Sequence, residues 1–219
     1  MKKTVFIILI VLSSCSGEKE NLIIEGDIQG VKNSIIYLSF SDSQKIIDSA
    51  KVIDGKFNIK IYLNEPVEME LILDNKNSEN KFDFITEPDH ILFTSSKDKF
   101  VFNGKIQNSK LYSDYKNLKN QINKFDQKDL EILAEQIQIS VKGNQNKYDS
   151  LAGQRLKLNQ RKILFIVNYA MSNKTSPLSP LISYKYRSSI SDEYLKKIFE
   201  NLSDEIKGSY YGAKLNSNL

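Results

Sequence analysis

Tryptophan is absent from the chain, and cysteine and histidine occur once each. A lone histidine, His90, without a partner thiol gives no ligand spacing for a structural zinc site. A serine nucleophile would have to use the same His90, and no Gly-x-Ser-x-Gly elbow presents such a serine. Phosphate-cradling glycine loops, the dinucleotide Gly-x-Gly-x-x-Gly pattern and His-Glu-x-x-His are also missing. These absences lead to the expectation of a non-enzymatic protein with no cofactor and no metal. The lack of tryptophan also disfavours a stacking platform for sugars. Charge of one sign is equally scarce. Lysines and arginines are interleaved with acids, and no basic cluster marks a nucleic-acid footprint. The runs Lys97-Asp98-Lys99 and Lys196-Lys197 read as solvated surface. Long apolar runs are lacking too. The longest, Val5 to Leu12, has eight residues, against about 20 for a membrane-spanning helix.

That short run gives the single cysteine its meaning. Lys2 and Lys3 precede it, and Leu12-Ser13-Ser14 leads directly into Cys15. A basic start, a short apolar stretch and small residues at the processing position form an export signal. Residues 1–14 are expected to be a lipoprotein signal peptide, with Cys15 the lipidated first residue of the mature chain. A short membrane helix and an ordinary cleaved signal are the competing readings. Lipidation consumes the only thiol, so no disulfide is expected. Acyl chains such as palmitate contribute about 0.8 kcal/mol per buried CH₂. Residues 15–21 would then hold the lipidated cysteine and a polar tether, Ser16 to Glu20. The expected location is the cell envelope, anchored to the outer membrane on its periplasmic side or at the cell surface. Without Lys2 and Lys3 the formal charge falls from +4 to about +2.

The rest of the chain changes character near residue 105. From Leu22 to Lys105 apolar residues alternate with period two, the signature of half-buried strands. Leu22, Ile24 and Ile28 alternate around Gly26; Ile36, Leu38 and Phe40 repeat the pattern; Phe57, Ile59, Ile61 and Leu63 share one face. Asp54-Gly55, between Ile47–Ile53 and Phe57–Leu63, predicts a hairpin. Pro66 sits between strands, and Asp74 to Lys81 reads as a loop. Later strands are predicted at Phe82–Ile85, His90–Thr94 and Phe100–Phe102. In Val67-Glu68-Met69-Glu70-Leu71 the glutamates fall on one face, expected to be solvated. Seven or eight such strands need a second layer. An antiparallel β-sandwich-like domain over 22–105 is the simplest arrangement, and a single curved sheet covered by helices is the alternative.

Over 106–219 the pattern is mostly helical, which makes the fold class α+β. Leu111, Tyr115, Leu118, Ile122 and Phe125 form a stripe at helical spacing, and Leu130, Leu133, Ile137 and Val141 continue it in a second helix. Gly143-Asn144 reads as a break before a longer helix, Tyr148 to Met171. Ser176-Pro177 resembles a helix start. Ser191 is placed to cap a last helix carrying Tyr194, Leu195, Ile198, Phe199 and Leu202, ended by Gly208 or Gly212. His90 follows Glu87-Pro88-Asp89 and reads as part of a turn. Tyr184-Lys185-Tyr186-Arg187 and Tyr210-Tyr211 could contact a partner, but their helical context favours packing.

A family resemblance now enters. The lipidated Cys is followed by Ile23-Ile24-Glu25-Gly26-Asp27-Ile28-Gln29-Gly30, then Ile47-Asp48-Ser49-Ala50, Asp54-Gly55-Lys56-Phe57 and Phe102-Asn103-Gly104-Lys105. This order resembles the uncharacterised N-terminal domain, a domain of unknown function, of Bacteroidetes thiol:disulfide interchange (thioredoxin-like) lipoproteins. Ser176-Pro177-Leu178-Ser179-Pro180 and Lys207-Gly208-Ser209-Tyr210-Tyr211-Gly212 are similar to their helical linker. Those relatives continue into a Cys-x-x-Cys module, whereas this sequence stops at Leu219, so no dithiol carries over. The resemblance implies export, anchoring and fold. Asp48-Ser49-Ala50 and Asp149-Ser150-Leu151 also resemble O-glycosylation sites of exported Bacteroidetes proteins, with Ser49 and Ser150 as acceptors; Ser49 would need to lie on an edge strand. The expected function is an envelope-anchored binding or scaffold module. The alternative is a detached N-terminal part of a thiol:disulfide oxidoreductase. Expected partners are the membrane, through the lipid, and another envelope protein or a thioredoxin-like module, with no nucleic acid.

Overall fold

The computed structural model describes residues 19–74 and 80–219. The signal segment, Cys15, the start of the tether and most of the Asp74–Lys81 loop lie outside the described residues.

Among the described residues eight strands form: β1 Leu22–Gln29, β2 Asn33–Phe40, β3 Ile46–Ile53, β4 Lys56–Ile61, β5 Val67–Leu73, β6 Lys81–Thr86, β7 His90–Ser96 and β8 Lys105–Gln107. They make one sheet in the order β6-β5-β2-β3-β4-β1-β7-β8. All neighbours are antiparallel except β1 and β7, which run parallel. The sheet curls into a sandwich-like shape at the Asp54-Gly55 hairpin. Both turn residues have positive φ, +48° and +84°, the conformation that matches strand twist. Beyond this turn β3 and β4 share a single pair, Ile53 with Lys56. β3 then follows β2, and β4 follows β1. The halves β6-β5-β2-β3 and β4-β1-β7-β8 therefore part and fold face to face. Phe82 on β6 meets Phe93 on β7 at 5.1 Å between ring centroids, and Phe57 on β4 lies 6.2 Å from Phe93.

The alternating residues Leu22, Ile24 and Ile28, Ile36 and Leu38, and Phe57 and Ile59 are buried in this core. Gly26 interrupts the β1 series because the Phe57 ring occupies its side-chain space. A Cβ there would lie 1.9 Å from a ring carbon. The strand expected at Phe100–Phe102 does not form. A single 3-10 turn spans Lys97–Lys99, and the Ser95 hydroxyl donates to the Phe100 carbonyl at 2.6 Å. That bond competes with a strand ladder for the backbone. Phe100 turns into the core while Phe102 is 85% exposed.

Six helices follow: α1 Lys110–Val141, α2 Gln145–Ser172, α3 Leu178–Lys185, α4 Asp192–Asn201, α5 Asp204–Gly208 and α6 Tyr210–Asn216. The two helices expected between Leu111 and Val141 are one continuous α1. Asp126-Gln127-Lys128-Asp129 holds no glycine or proline to break it. Ser109 caps α1, its Oγ accepting from Tyr112 N–H at 3.1 Å. Gly143, with φ +69°, and the Asn144 cap turn the chain into α2. The Ser176 hydroxyl accepts from Leu178 N–H at the start of α3. The final helix expected after Ser191 ends sooner than Gly208, at Asn201. Gly208 instead ends α5, and Gly212 lies inside α6, where a Cβ would meet the Ile206 carbonyl at 2.1 Å.

Candidate functional site

β5 is buried along its whole length. Val67, Met69, Leu71 and Leu73 alternate toward the sandwich core, so Glu68, Glu70 and Ile72 face the other way. That second face was expected to be solvated, but α1, α3 and α6 reach it. Glu68 is 5% exposed and Glu70 8%. The solvated-face expectation fails because alternation assigns residues to faces without saying what covers each face.

Glu68 gathers three helices. The Tyr115 hydroxyl on α1 donates to Oε1. Lys185 on α3 donates to the same oxygen at 2.6 Å and to the Tyr115 oxygen at 3.2 Å. The third contact uses the backbone. β2 leaves the ladder after Phe40, where Ser41 N–H still donates to the Glu68 carbonyl at 3.2 Å. Glu68 N–H, on the same side of the strand, has run out of strand partners. The Tyr211 oxygen on α6 accepts it at 3.2 Å. Burial and the adjacent Glu68 charge hold both phenols above their ordinary range, so both stay protonated.

Two further groups extend this junction. Glu70 lies directly opposite Asp83 on β6. Burial, then the Asp83 charge, raises the Glu70 carboxyl; Lys81, at 3.8 Å, and the Ser39 hydroxyl oppose the rise. Asp42, just beyond β2, accepts from Lys214 and Tyr210 of α6. Burial pushes Asp42 up, but the hydrogen bonds from Lys214 and Tyr210 outweigh it and lower the carboxyl. Glu65 completes the docking of α6 by accepting from Tyr210 N–H. A cavity of about 250 Å³ lies beside these groups, walled by Ser41, Asp42, Glu70, Asp83, Tyr184 and Lys185. Lys185 is bonded to Glu68 and Asp42 to Lys214 and Tyr210, while the Ser41 hydroxyl is buried without a partner among the described residues; the bonds of the junction join helices to the sheet.

The second candidate is the distal part of α1 and α2. α1 has 32 residues, about 48 Å at 1.5 Å per residue. Its buried residues stop at Ile122 except for Gln136. Beyond Ile122 the two helices form an antiparallel arm. Arg155 grips Asp129 with two bonds, 2.8 and 2.9 Å, and also reaches Gln136 at 3.3 Å. Lys162 bonds Asp126 at 2.9 Å. The hydrogen bond and charge of Arg155 lower the Asp129 carboxyl against slight desolvation. A groove of about 500 Å³ runs along the arm, lined by Phe125, Asp126, Asp129, Arg155, Leu156 and Asn159 among others. The stripe expected to be buried at Leu130, Leu133, Ile137 and Val141 does not behave as one face. Leu133 is half-buried, while Leu130, Ile137 and Val141 are exposed at 62%, 56% and 85%. The seam toward α2 instead uses Phe125, Asp129 and Gln136, which meet Phe165, Arg155 and the Tyr148 carbonyl, because the continuous helix carries its register through residues 126–129.

The remaining residues singled out from sequence are scattered. Cys15 lies outside the described residues. Ser49 is exposed on β3, whose side away from β2 is bonded only at Ile53, so it sits on an open edge. Ser150 is exposed near the start of α2. His90 opens β7, half-exposed, with Nε2 3.2 Å from Glu25. Tyr211 packs in the core. Arg187 lies over the Tyr184 ring at 4.2 Å. Among the described residues no helix is long and apolar enough to cross a membrane.

No match was found among curated proteins or among solved structures. A family described as Domain of unknown function (DUF4369) matches residues 22–157. The match covers every strand, all of α1 and α2 as far as Lys157, so the arm falls largely within it. The chain therefore belongs to the DUF4369 family of domains of unknown function.

Proposed function

We propose that this protein is an envelope lipoprotein, anchored through Cys15, whose folded part is a non-enzymatic binding or scaffold module. The observation that carries the reading is the α1–α2 arm. It extends beyond the sheet core, is held together by its own ion pairs, and presents Leu130, Ile137 and Val141 to solvent. Exposed apolar residues grouped on one side of an element mark interaction surfaces. The anchor rests on the Leu12-Ser13-Ser14-Cys15 sequence. The Glu68 junction supports the same reading, since its groups fasten helices to the sheet.

Two measurements on the full chain test this. Cells grown with a palmitate analogue should label the protein, and Cys15→Ala should abolish the label; an unlabelled wild-type chain would remove the anchor. A photo-crosslinking residue at position 137 should capture a protein in intact cells. A control at exposed Lys51 on the sheet should not. Capture at neither position would remove the binding role.

A further inference from the structure

We infer that the sandwich rests end-on on the lipid surface, at the end where β1 begins, with Tyr62 and Ile46 seated among the headgroups. This rests on the Cys15 anchor and adds a second, non-covalent contact with the same membrane.

The entry of the chain sets the geometry. Asn21 is fastened to the end of β4. Its side-chain amide donates to the Leu63 carbonyl at 2.9 Å, its side-chain oxygen accepts from Leu63 N–H at 2.8 Å, and its own N–H donates to the Ile61 carbonyl at 3.1 Å. From Cys15 to Asn21 there are six residue steps, which span at most about 20 Å when fully extended. The parallel pair β1 and β7 runs away from this point. The eight residues of β1 cover roughly 26 Å, more than the leash. A domain held at Asn21 therefore cannot stand on its opposite end. That end presents the exposed ring of Phe102, so apolar exposure alone does not choose the contact, and the leash does.

Two loops build the near end. Residues 41–45 join β2 to β3, residues 62–66 join β4 to β5, and α6 is fastened to both through Asp42 and Glu65. Between the loops lies a groove of about 240 Å³ walled by Phe40, Tyr62, Leu63, Val67 and Tyr210. Tyr62 on one loop and Ile46 just after the other are exposed. A ring with a polar tip and an aliphatic side chain are groups that settle at a bilayer–water boundary. The flank of the sandwich is a poorer seat, since the outer side of β1 and β4 presents Glu25, Asp27, Lys56 and Asn58 to solvent.

Charge gives the contact its character. Around the tether, these loops and the β6–β7 turn, Lys19, Lys45, Lys60 and Lys214 stand against Glu20, Asp42, Glu65, Glu87 and Asp89, one negative charge in excess. Such an end gains nothing from anionic lipid. Its contact is apolar and forms on a zwitterionic surface.

The test uses the lipidated protein, purified from cells and reconstituted in zwitterionic vesicles whose phosphatidylcholine carries bromine on its acyl chains. The chain has no tryptophan, so Tyr62→Trp and, in a separate chain, Phe102→Trp each introduce one fluorophore. Bromine should quench the Tyr62→Trp emission about twofold and leave that of Phe102→Trp unchanged. Adding Ile46→Asp to Tyr62→Trp should weaken the quenching. A Gly-Ser insertion of about ten residues after Gly17 lengthens the leash enough for either end to reach the bilayer; quenching confined to Tyr62→Trp should survive it. The three substituted positions are exposed, so unchanged circular dichroism will show that the fold is kept. Equal quenching at both positions, no quenching at either, or quenching lost with the longer leash would overturn the inference. If the chain still floats with the vesicles, the anchor stands in each of those cases. A chain that carries no lipid and does not float would remove both.

Discussion

Lys185→Met tests the idea that Glu68 is the fastening point between sheet and helices. Glu68 is 5% exposed, and its carboxylate receives Lys185 and Tyr115 on a single oxygen. Methionine keeps the length of the side chain and removes the charge. Glu68 would then remain buried with the Tyr115 hydroxyl alone. Removing one partner of a buried pair costs about 3–5 kcal/mol. The Lys185 side chain is itself 40% exposed, so water can partly replace it, and about 2–3 kcal/mol is the appropriate figure. At roughly 2–4 °C per kcal/mol for a chain of this size, Tm should fall by about 5–10 °C. Glu68→Gln removes the charge at its source while its amide oxygen can still accept from Tyr115, and should cost about 1 kcal/mol. The double variant should be more stable than Lys185→Met alone, because no buried charge is then left unpaired. Urea denaturation of the full chain reads all four corners of the cycle. A Lys185→Met loss below about 0.5 kcal/mol, or strict additivity in the double variant, would refute the reasoning.

Other substitutions probe the same sheet. Glu70→Gln should stabilise the protein at pH 7 by about 0.5–1 kcal/mol, since like charges directly opposite each other across a strand pair repel. Its carboxyl is raised in the fold, so the wild-type side chain favours folding only when protonated, below its ordinary 4.5, and that benefit is lost as pH rises through the raised value. The gain from glutamine should therefore vanish on acidification, and a gain constant between pH 4 and 8 would contradict the assignment. Gly26→Ala should cost about 1–3 kcal/mol by overpacking, because Phe57 occupies the space of the new methyl. Phe57→Leu in the same chain should recover part of that loss, and urea midpoints will show whether it does.

Much of the sheet was legible because alternation is a local property. The period-two runs located β1, β2, β4, β6 and β7, and Asp54-Gly55 located the hairpin at which the sheet curls. What lay outside local pattern was less visible. Nothing in Leu22–Gln29 distinguishes a parallel from an antiparallel neighbour, yet β7 is parallel. The burial of Glu68 depends on α1, α3 and α6 arriving from up to 143 residues away. One signal was available: Tyr115 stands in an otherwise aliphatic stripe with Leu111, Leu118 and Ile122. A phenol in such a position needs a polar partner when buried, and a glutamate on a central strand is one. The apolar count of α1 was legible as well. Which of those residues faces α2 depended on whether the helix broke near Asp126, and it does not.

The same long reach sets the order in which the molecule can assemble. β1 is flanked by β4 and β7, so the first strand stays half-paired until residues 90–96 are available. Glu68 N–H waits for the hydroxyl of Tyr211, 143 residues further along the chain. Contacts of such separation carry a loop-closure cost before they return any stability, and folding slows as their share rises. Refolding should therefore proceed in at least two resolvable stages: early formation of the local β3–β4 hairpin and the α1–α2 arm, then late closure of β1 against β7 with α6. Until α6 docks, the backbone N–H of Glu68 lacks its Tyr211 partner, so α6 acts as a latch on β5 after α1 and α3 have covered the strand face.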